Sequence, residues 1–193
     1  NKRELLGRIK DQPNIRVLFL HAREIIEQIA IGKIDIGISG IDLLKESEIT
    51  VQKNIKVEKK LNFGFANLVL AVREEFIDVF TTLDLDEVAD EFRKKNKRLI
   101  RIGTKYPNLT RQYLYSRGVT NFSIVKSRGA TELMPAISTA ELISDISSSG
   151  QTLTANKLRV LNDGIILRSQ ACIFISKKNQ KKKGLKKILS ILL

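Results

Sequence analysis

One histidine and one cysteine in 193 residues close off several kinds of chemistry. Cys172 has no partner for an internal disulfide, which agrees with a reducing cytoplasm. With His21 alone, a multi-histidine metal site is excluded and a Ser-His-Asp triad depends on that one residue. No metal-ligating residues are assigned. No apolar run approaches the roughly 20 residues of a membrane span. The stretch Asn1-Lys2-Arg3-Glu4-Leu5-Leu6 carries no signal-peptide apolar core. The chain has neither an internal repeat nor a low-complexity linker. A cytoplasmic protein without a membrane partner is expected.

What is present is a hydrophobic content of 42% with 28% charged residues, ordinary for a globular protein. The length allows one large domain or two small lobes. Net charge is +13, which suits a polyanion partner. Its lysines are dispersed, with local runs at Lys94-Lys95-Asn96-Lys97-Arg98 and across 177–187. Aromatic residues do not interleave with those runs as a stacking platform requires. The charge therefore reads as a lysine-rich surface, useful to a small phosphorylated substrate, and nucleic acid is not the expected partner.

Hydrophobic periodicity predicts alternating strands and helices. Strands are expected at Ile15–Leu20, Ile34–Ile38, Ala66–Val72, Leu99–Gly103, Phe122–Val125, near Leu142, at Ile165–Leu167 and at Ala171–Ile175, with a weak edge strand at Ile55–Lys60. Helices are expected at Ala22–Ile31, Ile41–Glu46, Leu83–Lys95, Pro107–Arg117, Thr131–Ile137, from Thr152 to Leu158 and from Gly184 to Leu193. This alternation says α/β with largely parallel sheets flanked by helices. The two-sided strand near Leu68 divides the chain into two lobes, 1–69 with 165–193 and 70–164.

Ligands in such sheets lie beyond the carboxyl ends of strands. Four segments fall there: Ser39-Gly40, Thr104-Lys105-Tyr106-Pro107, Gly129-Ala130-Thr131-Glu132 and Asp145 to Thr152. In the last, an apolar strand carries an acid near its end and breaks into Ser147, Ser148, Ser149, Gly150, Gln151 and Thr152 before a helix. Free N–H groups, hydroxyls and a helix amino end suit a phosphate there. A serine-rich turn with a helix cap fits the same residues.

Taken in order, these segments resemble the catalytic subunit of the ATP phosphoribosyltransferases, in their short form. The matching pieces are Asp35-Ile36-Gly37-Ile38-Ser39-Gly40, Gly103 to Thr110, Gly129-Ala130-Thr131-Glu132, Asp145 to Leu153, Ala155-Asn156-Lys157-Leu158 and Gly164 to Cys172. The resemblance runs from about Arg16 to Ile175. It implies two α/β lobes joined by crossing strands, similar to type II periplasmic binding proteins. It also implies a glycosyltransferase that condenses N1 of ATP with C1 of 5-phosphoribosyl 1-pyrophosphate. The products would be N1-(5-phosphoribosyl)-ATP and pyrophosphate, in the first step of histidine biosynthesis. Mg²⁺ would accompany both substrates.

By the resemblance, the loop Ser147–Thr152 holds the 5′-phosphate, and Asp145 and Glu132 lie near the ribose. Lys105, Tyr106, Ser39 and Gly40 line the nucleotide or phosphate cleft. Adenine N1 attacks with a lone pair and carries no proton, so catalysis rests on orientation and electrostatics. Carboxylates can stabilise oxocarbenium character, while lysine, arginine and Mg²⁺ take up charge on pyrophosphate. Arg23 is a candidate for the latter task, although a surface ion pair explains it as well. Asp145 could instead cap the serine turn, Glu132 serve as a first-turn helix acid, Lys105 be an ordinary exposed lysine and Tyr106 a packing residue. His21 has no role in the motif.

Nothing before Ile15 matches the strand and basic Gly/Ser turn with which the family opens, so a truncated start is expected. The chain stops too early for the long form's regulatory domain. The short form works as a homo-oligomer and as a hetero-oligomer with a regulatory subunit similar to histidyl-tRNA synthetase. A non-catalytic receptor or effector domain of periplasmic-binding type is the alternative, since fold alone does not decide.

Overall fold

The computed structural model describes residues 5–10, 12–182 and 184–192. Outside them lie residues 1–4, Asp11, one lysine of the 177–187 run (Lys183) and Leu193, the last position of the expected terminal helix. In chain order the first elements are β1 (Leu6–Ile9), β2 (Gln12–Leu18), α1 (Ala22–Ile31), β3 (Ile36–Gly40), α2 (Ile41–Glu46), α3 (Ile49–Lys53) and β4 (Ile55–Lys60). Then come β5 (Ala66–Arg73), α4 (Thr82–Asn96), β6 (Ile100–Thr104), α5 (Pro107–Ser116), β7 (Phe122–Lys126) and a 3₁₀ turn (Thr131–Leu133). The last are β8 (Leu142–Ser147), α6 (Gln151–Ala155), β9 (Leu158–Ser169), β10 (Ala171–Ser176) and α7 (Leu185–Leu192).

The chain divides into two units, 1–61 with 171–193 and 62–170. The exchanges fall between strands. The expected borders at 69/70 and 164/165 would have cut through β5 and β9.

In the first unit, β10 is the middle strand, antiparallel to both β3 and β4. Helix α1 packs Ile26, Ile29 and Ala30 with Leu44, Ile55, Cys172 and Phe174. Its apolar residues recur at helical spacing, and Gly32, at φ 83°, ends it with the left-handed cap that glycine adopts freely. A Cβ on Gly37 would sit 2.5 Å from Ile25, so glycine is what lets α1 lie on β3. Strand β4 is an edge, and its Lys56, Lys59 and Lys60 blunt it against pairing. β1 and β2 form a separate antiparallel pair.

In the second unit the strand order is β7-β6-β8-β5-β9. β6 runs parallel to β7 and β8, while β5 is antiparallel to β8 and β9. The α/β, two-unit reading holds, but the sheets are less parallel than expected: among the described residues, parallel pairing is confined to β7-β6-β8. β5 explains its own continuous apolar run. Leu70 and Val72 enter a core with Leu85, Ala89, Leu114 and Leu142, while Val69 and Ala71 enter another with Met134, Ile143 and Leu153. Both faces of the strand are buried.

Three local expectations change. The helix expected at Thr131–Ile137 is one 3₁₀ turn, because Pro135 cannot continue a helix. The helix after the serine turn ends at Ala155, and Leu158 already opens β9. That strand is 12 residues long, with the expected Ile165–Leu167 as its second half. α4 meets its expectation within a residue at each end and carries a capping box. Thr81 Oγ1 accepts from Asp84 N–H, and the Asp84 carboxylate accepts from Thr81 N–H.

The β6–β8 junction is fastened by Glu141. Its carboxylate accepts from the Arg101 backbone N–H at 2.7 Å and from the Arg101 and Arg98 guanidinium groups at 2.7 and 2.9 Å. Burial would raise its pKa, but those hydrogen bonds hold it down at about 2. A depressed carboxylate stabilises the fold above its ordinary value near 4.5, and that share is lost as pH falls toward 2. Allowing for the half-exposed Arg98, the contribution is on the order of 2 kcal/mol. Glu141→Gln should therefore lower Tm at pH 7, with the gap to the wild type closing between pH 5 and 2. A gap independent of pH would assign the loss to packing.

Candidate functional site at the end of strand β8

β6 stays in register with β8 only as far as Thr104, opposite Ser144. One residue later Asp145 emerges at the carboxyl end of the parallel strands. The polar residues beneath it are buried and satisfied. Thr104 Oγ1 accepts from Tyr106 N–H at 2.8 Å. Thr110 Oγ1 donates to the Tyr106 carbonyl at 2.7 Å and lies 2.8 Å from Ser144 Oγ. These bonds set the turn that carries Lys105 and starts α5 at Pro107.

Beyond Asp145 the chain turns through the serines into α6. Gly150 stands at φ 77° with open space around its α-carbon, so the left-handed backbone, not crowding, calls for glycine. Ser147 Oγ accepts from Gly150 N–H at 3.0 Å, and Ser149 Oγ accepts from Gln151 N–H at 3.4 Å. Leu153 is buried and anchors α6 to the core. Ser147, Ser148, Ser149 and Thr152 wall a cavity of about 160 Å³ together with Asp145 and Glu132. Gly150 and Gln151 shape the turn behind it. The cavity is below the roughly 300–1,000 Å³ of a drug-sized pocket and suits a single small polar group.

Asp145 is half-buried, and burial pushes its pKa above the usual value. The Ile146 N–H, 2.9 Å from Oδ1, the positive charge of Lys105 and the Thr131 hydroxyl work against that shift; Glu132 adds to it. Lys105 is exposed and Tyr106 buried.

The structure thus brings Glu132, Asp145, Ser147, Ser148, Ser149 and Thr152 to one cavity, with Lys105 acting on its carboxylate. Arg23, Ser39 and Gly40 belong to the other unit. There Ser39 donates to the Ala22 carbonyl at 2.8 Å, Gly40 caps α2, and Arg23 is exposed in the first turn of α1. Sequence reasoning placed Thr104 and Thr110 in candidate segments but gave no role to them or to Ser144, whose only signal was a polar residue interrupting an apolar pattern. Among the described residues no three His, Cys, Asp or Glu side chains cluster as metal ligands would. No described helix is long and apolar enough to cross a membrane.

The profile of the HisG family, ATP phosphoribosyltransferase, matches residues 21–193. The chain belongs to the ATP phosphoribosyltransferase family. It is 44% identical over 191 residues to the ATP phosphoribosyltransferase of Nitrobacter winogradskyi, covering 99% of this chain and 59% of that protein. It is 41% identical to that of Brucella suis, covering 96% and 81%. The chain therefore spans about three fifths of the first of these family members. Among solved structures, the ATP phosphoribosyl transferase (HisG:HisZ) complex from Thermotoga maritima superposes with a TM-score of 0.72 at 22% identity, covering 100% of this chain and 82% of that one. Arginine-bound ArgBP from T. maritima gives 0.55 at 14% identity, covering 91% and 74%. At such identities these likenesses establish the fold, of the periplasmic-binding type.

Every cavity residue lies inside the span matched to the ATP phosphoribosyltransferase family, which sets up a test of Asp145. A carboxyl group raised by burial stabilises the fold while protonated and loses that contribution as pH rises through its folded value. Asp145→Asn should keep or raise Tm at pH 7, with no gain at pH 3. A lower Tm at pH 7 would make Asp145 a structural residue.

Proposed function

We propose that this chain carries out the reaction of its family, joining N1 of ATP to C1 of phosphoribosyl pyrophosphate. The N1 lone pair forms the new bond while the C1–O bond breaks and its electron pair leaves with pyrophosphate. The observation that carries this reading is the meeting of Asp145, Glu132 and the serine loop at one cavity inside the family-matched span.

The serine loop takes the 5′-phosphate. Its hydroxyls are donors, and its size suits one such group. Asp145 and Glu132 bind the ribose hydroxyls and offset positive charge developing at C1, an electrostatic contribution fixed in place before reaction. Lys105 neutralises phosphate charge from the neighbouring strand end. Arg23, Ser39 and Gly40 supply the nucleotide and pyrophosphate side. Because bond formation removes no proton, none of these residues has to act as a base.

Mg²⁺ fits this donor set as an ion carried by the substrates. It keeps its waters and phosphate oxygens and needs few protein ligands. When bound it takes up charge on the departing pyrophosphate. We further propose a cytoplasmic homo-oligomer working with a regulatory subunit similar to histidyl-tRNA synthetase. The assembly named for the Thermotoga relative supports a hetero-oligomer.

The test is the full-length protein, supplied with its regulatory subunit, ATP, phosphoribosyl pyrophosphate and Mg²⁺. N1-(5-phosphoribosyl)-ATP should form; its absence would overturn the assignment. Asp145→Ala and Gly150→Val should each weaken phosphoribosyl pyrophosphate binding by roughly 10-fold or more, as expected when bonds to a charged group are lost. Asp145→Ala should change Tm little, whereas Gly150→Val, which forces a β-branched residue into left-handed backbone, should also lower Tm. Unchanged affinity with a large fall in Tm would leave the loop a structural turn.

A further inference from the structure

Thr104, Thr110 and Ser144 are each fully buried beneath the site. A satisfied buried hydroxyl gains little over an apolar group of the same shape, because its hydrogen bond replaces one made to water. Valine or alanine would fill these positions, so stability alone does not call for oxygen there. The bonds converge instead on Tyr106. Its N–H donates to Thr104 Oγ1 at 2.8 Å, and its carbonyl accepts from the Thr110 N–H at 3.0 Å. Thr110 Oγ1 also lies 2.7 Å from that carbonyl and 2.8 Å from Ser144 Oγ. One hydrogen on each of the two hydroxyls serves both contacts. The backbone on either side of Tyr106 is thereby held, and with it the turn that carries Lys105.

This bridge stands where backbone pairing ends. β6 and β8 pair up to Thr104 opposite Ser144, and Lys105 and Asp145 follow one residue beyond, on neighbouring strands. Past that last pair the β6–β8 ladder no longer sets their spacing. The Thr110 hydroxyl spans the gap, from the turn carrying Lys105 to the residue before Asp145. We propose that Thr110 is a positioning residue, whose hydroxyl clamps the Lys105 turn to β8 so that Lys105 and Asp145 meet phosphoribosyl pyrophosphate at a fixed spacing. The inference rests on the phosphate role proposed for Lys105. A lysine ammonium ends a flexible four-carbon stem, so its reach is defined only when its backbone is fixed. Holding that backbone before the substrate arrives removes an ordering cost from binding.

The experiment is a double-mutant cycle in the full-length protein, read as affinity for phosphoribosyl pyrophosphate with Mg²⁺. It uses Thr110→Val, which keeps the shape and removes the hydroxyl, Thr110→Ser, which restores it, and Lys105→Ala. Thr110→Val should weaken binding roughly 10-fold, and Thr110→Ser should return close to the wild type. In the Lys105→Ala background Thr110→Val should cost about 2-fold or less, because a residue acting through Lys105 loses its effect when Lys105 is gone. Amide hydrogen exchange in the unliganded protein gives a second readout. Thr110→Val should speed exchange at Tyr106 roughly 5-fold relative to Ile102 in the middle of β6. Ser144→Ala, which removes the other end of the bridge, should act in the same direction and serves if Thr110→Val does not fold. An equal loss of affinity with and without Lys105 would make Thr110 a structural residue and overturn the proposal. Unchanged affinity in both Thr110→Val and Ser144→Ala would overturn it too. A wild type with no affinity for phosphoribosyl pyrophosphate would overturn the phosphate role of Lys105, and faster exchange at Tyr106 would then still establish the clamp.

Discussion

The register of β6 against β8 governs the rest of the site. Pairing stops at Thr104 opposite Ser144, so β8 outruns its parallel neighbour while β5 still pairs with it as far as Ser147. The strand is thus held on one side and released on the other. Its first residues are buried as core, and its last present polar groups at the carboxyl end of the parallel strands. Glu141 fixes this register from the opposite end, by binding Arg101 of the adjacent strand. Position and chemistry at Asp145 both follow from where that pairing ends.

Such an arrangement places a carboxylate where water is scarce, which is unfavourable unless neighbours compensate. Compensation at Asp145 is incomplete, and burial prevails. Glu141 is the contrasting case, a carboxylate of the same strand region that two guanidinium groups hold far below its ordinary value. One serves the fold and is neutralised. The other is left under-compensated.

Much of this was legible beforehand because its causes are local. Alternating charge and apolar spacing mark α4, Gly32 marks the stop of α1, and the unbroken apolar run of β5 marks a strand buried on both faces. The serine turn and its acid stand out by composition alone. Strand direction was not legible, since antiparallel pairing of β5 with β8 and β9 depends on residues distant in sequence. Pro135 could have warned against a helix after Thr131, but the glutamate beside Thr131 imitates a helix start. Thr104, Thr110 and Ser144 look like ordinary polar residues until the fold buries them against one another.

The serine turn has a consequence for any anion that enters it. Two of its backbone N–H groups already have partners, in the hydroxyls of Ser147 and Ser149. The turn therefore keeps its shape when empty, and a visitor does not have to organise it. It must instead compete with two neutral oxygens for the same hydrogens. A water oxygen is no stronger an acceptor than the serine hydroxyls, whereas an oxygen of a phosphate dianion is. A charged occupant would bind by exchange, taking hydrogens that the Ser147 and Ser149 hydroxyls otherwise hold.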